Sequence, residues 1–220
     1  MKVLVACEFS GVVRNAFANL GHEAWSCDLL PTEIPGNHYQ GNVRDILYSQ
    51  KWDLLIGHPP CTYLANSGVQ HLHKRKDRWE LMLLAKEFFL LLLDSPIEKI
   101  CIENPVPHHY ANLPKYTQII QPYMFGHTCQ KKTCLWLKNL PNLQPTNIVD
   151  KGKNYIGRDG KSNGSEWYQL LTSGKDRWKK EAERLMALLK QWLYNGLVLL
   201  SRYIKESLSS MIPCTDYNKQ

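Results

Sequence analysis

Long apolar runs, paired cysteines and a leader segment are all missing from this sequence. The longest uninterrupted apolar stretch, Phe88–Leu93, is far below the ~20 residues of a membrane-spanning helix. The seven cysteines are an odd number without framework spacing, which is typical of thiols in a reducing compartment. No charged leader or cleavage site precedes the first predicted strand. We therefore expect a cytoplasmic protein without a membrane contact.

Glycine is also scarce where nucleotide-binding loops usually carry it. The pattern predicts a strand at Lys2–Cys7, a helix at Val12–Leu20 and a strand at Glu23–Cys27 that is followed by Asp28. Only Gly11 lies in the first loop, so the match to a dinucleotide fingerprint is weak. The helix N-terminus would lie near an anionic group, and Asp28 would accept hydrogen bonds from ribose hydroxyls. Asp28 can equally be an ordinary turn residue at the end of a strand.

Composition indicates a soluble globular protein with a basic surface. The 220 residues are 44% apolar and 21% charged, enough for one domain with a hydrophobic core and a small appendage. The formal net charge of +7 favours a polyanionic partner, although many basic enzymes bind no nucleic acid.

The centre of the sequence is a short apolar run that ends in two prolines and a cysteine. Leu54–Gly57 is typical of a buried parallel strand, and neither Pro59 nor Pro60 can continue it. Cys61 is thereby placed at the carboxyl end of the strand, where open α/β sheets bind ligands. It is a candidate nucleophile, or alternatively a small buried apolar residue.

A second apolar run also ends in residues with reactive side chains. Lys99–Ile102 is predicted to be a strand, and Glu103, Asn104 and Pro105 follow it. Parallel strands have their carboxyl ends at one edge of the sheet, so Glu103 is expected to face Cys61 across a cleft. A thiol beside a carboxyl group suits attack on a ring that must gain a proton as the thiolate adds.

These two motifs resemble those of the DNA cytosine-5 methyltransferase family, in particular its short phage-encoded members. Pro59–Cys61 is similar to the nucleophile loop, and Glu103–Asn104 is similar to the Glu-Asn-Val motif with proline in place of valine. The resemblance covers Lys2 to about Pro141. It implies an α/β, Rossmann-like S-adenosylmethionine-dependent methyltransferase fold, with a mostly parallel sheet, helices on both faces, and further strands such as Thr133–Leu137.

The same resemblance implies the site residues, with S-adenosylmethionine as cofactor and DNA as partner. The implied catalytic residues are Cys61, Glu103 and Lys132. The implied cofactor-binding residues are Phe9, Ser10, Gly11, Asp28, Asp45 and Pro59. The implied substrate-binding residues are Asn66, Ser67, Asn104 and Lys131. If the gene is a phage gene, the compartment is the host cytoplasm and a restriction-modification role is expected.

Some residues near the predicted site have more than one interpretation. Asp45 resembles the residue that binds the adenine amino group, but it can also be a solvated charge that pairs with Arg44. The lysines at 131 and 132 stand where the family has arginines, and lysine lacks the bidentate guanidinium geometry. His58 is either an activator of Cys61 or a structural neighbour.

The basic run 71–78 precedes a predicted helix at Trp79–Ser95. Such a run is usually a solvated helix face, and next to a catalytic loop it can also follow phosphates. Its two histidines lack the spacing of metal ligands. His127, Cys129 and Cys134 match no standard zinc site, so no metal is predicted.

We divide the chain into a catalytic domain at 1–137, a short irregular insert at 138–180 and a helical tail at 181–220. The insert stands where larger family members have a target-recognition domain. The tail lacks the Gly-Ile-Ala helix of the family. Codons can be chosen for residues 180–193 that encode a Gly-Ile-Ala tail when they are read in a shifted frame. We therefore hypothesise a frameshift just before Glu181. The gene sequence tests this hypothesis, because it shows which codons are present.

The predicted function is methyl transfer to C5 of cytosine in DNA through a covalent Cys61 adduct. Two alternatives come from other classes. One is a catalytically weak or inactive nucleic-acid-binding or decoy protein, and the other is C5 modification of a single-stranded or free pyrimidine nucleotide.

Overall fold

A seven-stranded mixed sheet forms the centre of the protein. The computed structural model describes residues 1–156, 160 and 162–165. The strands of the sheet are Lys2–Ala6 (β1), Glu23–Asp28 (β2), His38–Gln40 (β3), Leu54–Gly57 (β4), Lys99–Pro105 (β5), Gln118–Ile120 (β6) and Thr133–Lys138 (β7). A separate antiparallel pair consists of Asn154–Ile156 (β8) and Ser162–Ser165 (β9).

The strand order is β3-β2-β1-β4-β5-β7-β6. The first five strands of the chain pair in parallel, and β7 is antiparallel to both β5 and β6. The switch in direction of winding falls between β1 and β4, which is where open α/β sheets bind ligands. The predicted α/β, Rossmann-like methyltransferase fold is thereby confirmed.

Helices cover both faces of the sheet. The three α-helices are Val12–Asn19 (α1), Val43–Leu47 (α2) and Asp77–Leu93 (α3). On one face, Val13 and Phe17 of α1 pack on Val3, Val5 and Ile56. On the other face, α2 and α3 bury a larger core, whose members include Leu4, Ile46, Leu55, Phe89, Leu92, Ile100, Ile102 and Trp136. Alternate residues of β1 therefore serve opposite cores, as expected for a strand that is covered on both sides.

The predicted elements lie where the apolar runs placed them, and their ends agree with the structure to within three residues. The long helix begins at Asp77 rather than Trp79 and ends at Leu93 rather than Ser95. The sequence missed β3 and β6, whose three residues each lack an apolar run. In the described part of the chain, each helix is too short or too polar to cross a membrane.

The three-domain division stays a prediction. The insert contains the β8–β9 pair, and Gln130 Nε2 donates a hydrogen bond to Asn154 Oδ1 at 3.1 Å. The predicted tail at 181–220 and the frameshift hypothesis lie outside the described residues.

Candidate active site

The Pro-Pro-Cys loop leaves the sheet directly at the end of β4. Pro59 is buried and Pro60 is exposed, so the two prolines face opposite environments. The Cys61 carbonyl accepts hydrogen bonds from the backbone N–H groups of Leu64 at 3.0 Å and Ala65 at 2.8 Å. These bonds close a tight turn that holds Cys61, whose exposure is intermediate, at the carboxyl edge of the sheet.

Glu103 is at the same edge, because β4 and β5 are parallel neighbours. Gly57 pairs with Ile102 in the register, so Glu103 comes one residue after the last aligned pair. Its Oε2 lies 3.4 Å from Nδ1 of His58, and both side chains are largely buried. The structure therefore brings His58 to Glu103. This pairing was not anticipated, since the sequence placed His58 only beside the proline loop.

The side chain of Asn104 holds the loop of Pro59, Pro60 and Cys61 in place. Its side chain is buried, and its Nδ2 donates a 2.8 Å hydrogen bond to the Pro59 carbonyl. Pro59 was predicted to bind the cofactor, and Asn104 was predicted to bind the substrate. The contact gives Asn104 a positioning role, because it fixes the backbone two residues before Cys61.

Two polar atoms at this edge are buried without a hydrogen bond. Within the described part of the chain, Asn104 Oδ1 and His58 Nε2 are buried and make no hydrogen bond. Such atoms are uncommon in folded proteins, because leaving one unpaired costs about 1–3 kcal/mol. Both side chains hold other residues of this edge, since Asn104 contacts Pro59 and His58 lies next to Glu103.

A second set of backbone contacts joins the loops that follow β4 and β5. The Asn66 N–H donates to the Val106 carbonyl at 2.9 Å, and the His108 N–H donates to the Leu64 carbonyl at 2.9 Å. The buried His108 ring also places Nε2 2.9 Å from the Tyr63 carbonyl. Asn66 and Ser67, the predicted substrate contacts, are exposed on the outer rim of this joined layer.

The two predicted lysines lie just before β7. Thr133 pairs with Pro105 in the antiparallel register, which brings Lys132 to the carboxyl edge of β5. The charge of Lys132 lowers the pKa of the neighbouring Cys134 thiol, while burial and Glu103 raise it more strongly, to about 11. The charges of Lys132 and Glu103 therefore both act on Cys134, at the sheet edge where Cys61 lies.

A cavity at the switch between β1 and β4 is the candidate cofactor site. It lies between the carboxyl ends of the strands and the helices α2 and α3. The cavity is lined by Cys7, Cys27, Asp28, Leu29, Gly41, Asn42, Val43, Pro60 and Phe88. Its apolar walls suit an aromatic base, and its carboxylate suits ribose hydroxyls. Of the predicted cofactor residues, Asp28 is in the lining.

The loop between β1 and α1 uses its hydrogen bonds internally. The buried Glu8 carboxylate accepts from the backbone N–H groups of Val13 at 2.6 Å and Arg14 at 3.1 Å. The Ser10 hydroxyl donates to Glu8 at 3.1 Å. Gly11 has φ 72°, a left-handed conformation that favours glycine. Glu8 therefore occupies the helix N-terminus that was expected to face an anionic group of the cofactor.

The backbone of Phe9 is hydrogen-bonded to the loop that follows β2. Its carbonyl accepts a 2.9 Å hydrogen bond from the Glu33 N–H. The nearby 29–37 loop is held by Arg14, whose guanidinium donates to Ser26 Oγ at 3.0 Å and to the Ile34 carbonyl at 2.6 Å. Roles for Phe9, Ser10 and Gly11 at the cofactor stay predictions.

Asp45 lies two residues further along α2 than Val43, which lines the cavity. The Tyr39 hydroxyl donates to its Oδ2 at 3.3 Å, and its charge contributes to the raised pKa of Cys27. Asn42 and Val43 occupy the wall instead, and the Asn42 side chain caps α2 by accepting from the Arg44 N–H at 3.0 Å. Asn42 was not among the predicted cofactor residues, and the resemblance holds one signal for it, because an acidic residue often stands at this position in the similar family.

The cavity thiols are expected to resist alkylation at pH 8. Burial, and to a lesser extent Asp28, raises the pKa of Cys7 and of Cys27 to about 12. A raised pKa keeps a thiol protonated below it, so about one molecule in ten thousand is thiolate at pH 8. Peptide mapping after iodoacetamide treatment should find Cys7 unmodified until the pH approaches 12. Rapid modification of Cys7 at pH 8 in the folded protein would contradict this account.

The described residues contain no group of three or more histidine, cysteine, aspartate or glutamate side chains that could hold a metal ion. His127 and Cys129 are joined through the backbone, where the Cys129 N–H donates to the His127 carbonyl at 2.6 Å.

The fold is α/β and Rossmann-like, and a thiol and a carboxylate, Cys61 and Glu103, lie at its ligand edge. No family model matches the chain, and no curated protein matches it. Among solved structures, it is similar to a protein assigned as a DNA modification methyltransferase and encoded within an Escherichia coli prophage. The identity is 17% and the TM-score 0.42, over 68% of this chain and 52% of that one. The chain thus spans about half of that protein, and its function has to follow from its own site.

Proposed function

We propose that this protein transfers a methyl group from S-adenosylmethionine to C5 of cytosine in DNA, with Cys61 as nucleophile and Glu103 as proton donor to N3. The observation that carries the proposal is the shared edge of β4 and β5. There the proline loop holds Cys61, Asn104 braces that loop through Pro59, and Glu103 follows the neighbouring strand.

The chemistry explains why a thiol and a carboxyl group are needed together. Cytosine C5 is a poor nucleophile until the Cys61 thiolate adds to C6, which makes C5 enamine-like. A proton given to N3 by Glu103 neutralises the charge that develops on the ring. S-adenosylmethionine, when bound, supplies an electrophilic methyl group for C5. The C5 proton then passes to a water molecule and the C6–sulfur bond breaks, so that the Cys61 thiolate leaves with the electrons of that bond and the C5–C6 double bond is restored. The N3 proton returns to Glu103, which restores the carboxyl group.

The cavity between β1 and β4 fits the adenosine part of that cofactor. Asp28 would accept hydrogen bonds from the ribose hydroxyls, and Leu29, Val43 and Phe88 would contact the base. Because Pro60 belongs both to this wall and to the nucleophile loop, the cofactor and Cys61 would be adjacent. The chain thereby gathers both reactants at one sheet edge.

DNA is the proposed substrate class, because the net charge of +7 suits a polyanion and Lys132 stands at the site edge. In a duplex the target C6 lies inside the base stack, so the cytosine must leave the helix. Flipping a base costs a few kcal/mol, and least when the base is already unpaired. The flipped cytosine would then lie at the sheet edge where Cys61 and Glu103 follow neighbouring strands.

Covalent trapping with 5-fluorocytosine tests the proposal. Fluorine at C5 cannot leave as a proton does, so the Cys61–C6 bond persists after methyl transfer. With S-adenosylmethionine present, we expect a denaturation-resistant adduct that maps to the Cys61 peptide. Parallel reactions with duplex DNA, single-stranded DNA and the free nucleotide identify the substrate. No adduct with any of the three would reject the methyltransferase proposal.

The position of Glu8 favours a second candidate, a nucleic-acid-binding protein with weak or no catalysis. Its carboxylate takes the N–H groups of Val13 and Arg14 and places a negative charge where an anionic part of the cofactor was expected. Calorimetry separates the candidates, because the binding protein would retain DNA affinity and show no heat with S-adenosylmethionine.

Replacing Asp28 with alanine is expected to weaken cofactor binding about tenfold without unfolding the protein. The carboxylate lines the cavity at the end of β2 and is partly exposed, so its loss removes ribose hydrogen bonds rather than core packing. Isothermal titration with S-adenosylmethionine measures the change. Asp94→Ala is the matched control, since Asp94 is an exposed aspartate at the C-terminal end of α3. Equal affinity of Asp28→Ala and the native protein would remove Asp28 from the site.

A further inference from the structure

The structure places an exposed aromatic cluster beside the nucleophile loop. His73, Trp79, Tyr110 and His109 form it, and we call it the aromatic platform. Trp79 and Tyr110 have ring centroids 5.4 Å apart at an interplanar angle of 73°, and His73 is edge-on to both rings at 5.6 and 5.2 Å. His109 lies 3.8 Å from Tyr110. The platform joins the start of α3 to the loop after β5.

The platform is accessible to a ligand. Trp79 is 38% exposed and Tyr110 is 39% exposed, which is unusual for two large rings in contact with one another. His73 and His109 are also exposed. Exposed aromatic residues that cluster, rather than occurring singly, mark interaction surfaces.

Contacts connect the platform to Cys61. The Arg78 guanidinium lies over the Tyr63 ring at 4.8 Å and donates to the Thr62 carbonyl at 3.0 Å. The His108 ring lies between the two regions, 6.2 Å from Tyr110 and with Nε2 2.9 Å from the Tyr63 carbonyl. A strand whose cytosine is at Cys61 would therefore pass these rings within a few nucleotides.

The charges around the platform favour a polyanion. Lys74, Arg75, Lys76 and Arg78 carry four positive charges within five residues, and Asp77 and Glu80 are the acidic residues of the same stretch. Asp77 is already paired with Arg75 in a bidentate contact. The remaining lysines and Arg78 can contact phosphates, in the combination of cations and stacking rings that binds single strands.

We propose that the aromatic platform binds unpaired nucleotides next to the target cytosine, so that the preferred substrate is single-stranded DNA or a duplex with an unpaired flank. This inference rests on the proposed function for the position of the target base. A ring can stack on a base only when the base face is open, and in a duplex both faces are covered by neighbouring pairs. The platform thus selects unpaired DNA through stacking, and the basic run holds its backbone.

Conservative and non-conservative variants of the two exposed rings test the platform. The probe is fluorescently labelled oligo-dT, which has no cytosine, so that chemistry at Cys61 plays no part. Trp79→Leu and Tyr110→Leu should each weaken binding about tenfold, because stacking on one ring contributes about 5- to 100-fold in affinity. Trp79→Phe and Tyr110→Phe keep a π-face and should bind within about twofold of the native protein. Blunt duplex DNA should bind all five proteins alike.

Tyr48→Leu is the control, because Tyr48 is an exposed tyrosine at the C-terminal end of α2, and it should leave oligo-dT binding unchanged. Unchanged binding in both leucine variants would overturn the inference. Equal losses in the leucine and phenylalanine variants would also overturn it, because the indole N–H or the phenol hydroxyl, which both substitutions remove, would then be responsible rather than stacking. Thermal melting of each variant shows that it is folded, and the two rings lie in different elements, so one misfolded variant leaves the other as the test.

Binding of oligo-dT and formation of the 5-fluorocytosine adduct test the platform and the proposed methyl transfer separately. Ring-dependent binding of oligo-dT without any 5-fluorocytosine adduct would keep the platform and reject methyl transfer. Adducts with duplex DNA combined with ring-independent binding would keep methyl transfer and reject the platform.

Discussion

Replacing Cys61 with serine is expected to abolish methyl transfer and the 5-fluorocytosine adduct, with turnover falling at least about 1000-fold. The serine hydroxyl is similar in size, but it is not ionised at neutral pH and is far less nucleophilic than a thiolate. The loop should keep its conformation, because the Cys61 carbonyl accepts two backbone hydrogen bonds and Asn104 holds the Pro59 carbonyl. Affinity for DNA and for S-adenosylmethionine should therefore persist.

A tritiated methyl donor measures the turnover of this variant, and gel shift and calorimetry measure the retained binding. Thr62→Ala is the control, since it removes an exposed hydroxyl next to the nucleophile and leaves the thiol intact. It should keep most of the activity. Turnover that survives in the serine variant would eliminate the covalent mechanism and leave a different chemistry to be found.

Replacing Glu103 with glutamine should lower the rate of methyl transfer by about 100- to 10,000-fold, the range typical of a lost general acid. The amide matches the carboxyl group in shape but cannot deliver a proton to N3. It also removes the charged partner of His58, whose Nδ1 lies 3.4 Å from the carboxylate. Binding of DNA should change much less than the rate, because the effect is on the charge that develops during thiolate addition.

Glu98→Gln is the matched control, because Glu98 immediately precedes β5, is exposed and pairs with Lys99 at the opposite end of the strand. Single-turnover measurements separate the chemical step from product release. If Glu98→Gln and Glu103→Gln are equally active, the carboxyl group at the ligand edge has no part in catalysis, even where Cys61 is shown to form the adduct.

Local patterns were sufficient for most of the sheet. Leu54–Gly57 is an apolar run that two prolines end, so its limits were predicted as the structure has them. The strand at 99–102 was correctly located, although it continues to Pro105, because pairing with β7 extends it beyond its apolar residues. His38–Gln40 and Gln118–Ile120 were missed for the same reason, since each depends on a neighbouring strand for its conformation.

The contacts within the site were beyond the reach of pattern analysis. The hydrogen bond between Asn104 and Pro59 joins residues 45 positions apart, and the contact between His58 and Glu103 also joins residues 45 positions apart. The contact of Glu8 with the N-terminus of α1 joins residues that are only five positions apart. The residues between Glu8 and the helix nevertheless contain no capping motif that would have predicted it. The cavity walls at Asn42 and Phe88 come from helices that meet only after the sheet has formed.

The sequence alone determined which residues end the strands and therefore which side chains are available at the ligand edge, Cys61 and Glu103 above all. It could do so because apolar runs, prolines and parallel connections act over a few residues and have fixed geometric consequences. Tertiary structure decided what those side chains meet: β1 pairs with β4 across some fifty residues, and this pairing opens the cavity. Partners of that kind are chosen by the burial of two cores and by long-range hydrogen bonds, which are properties of the assembled sheet and not of any single segment.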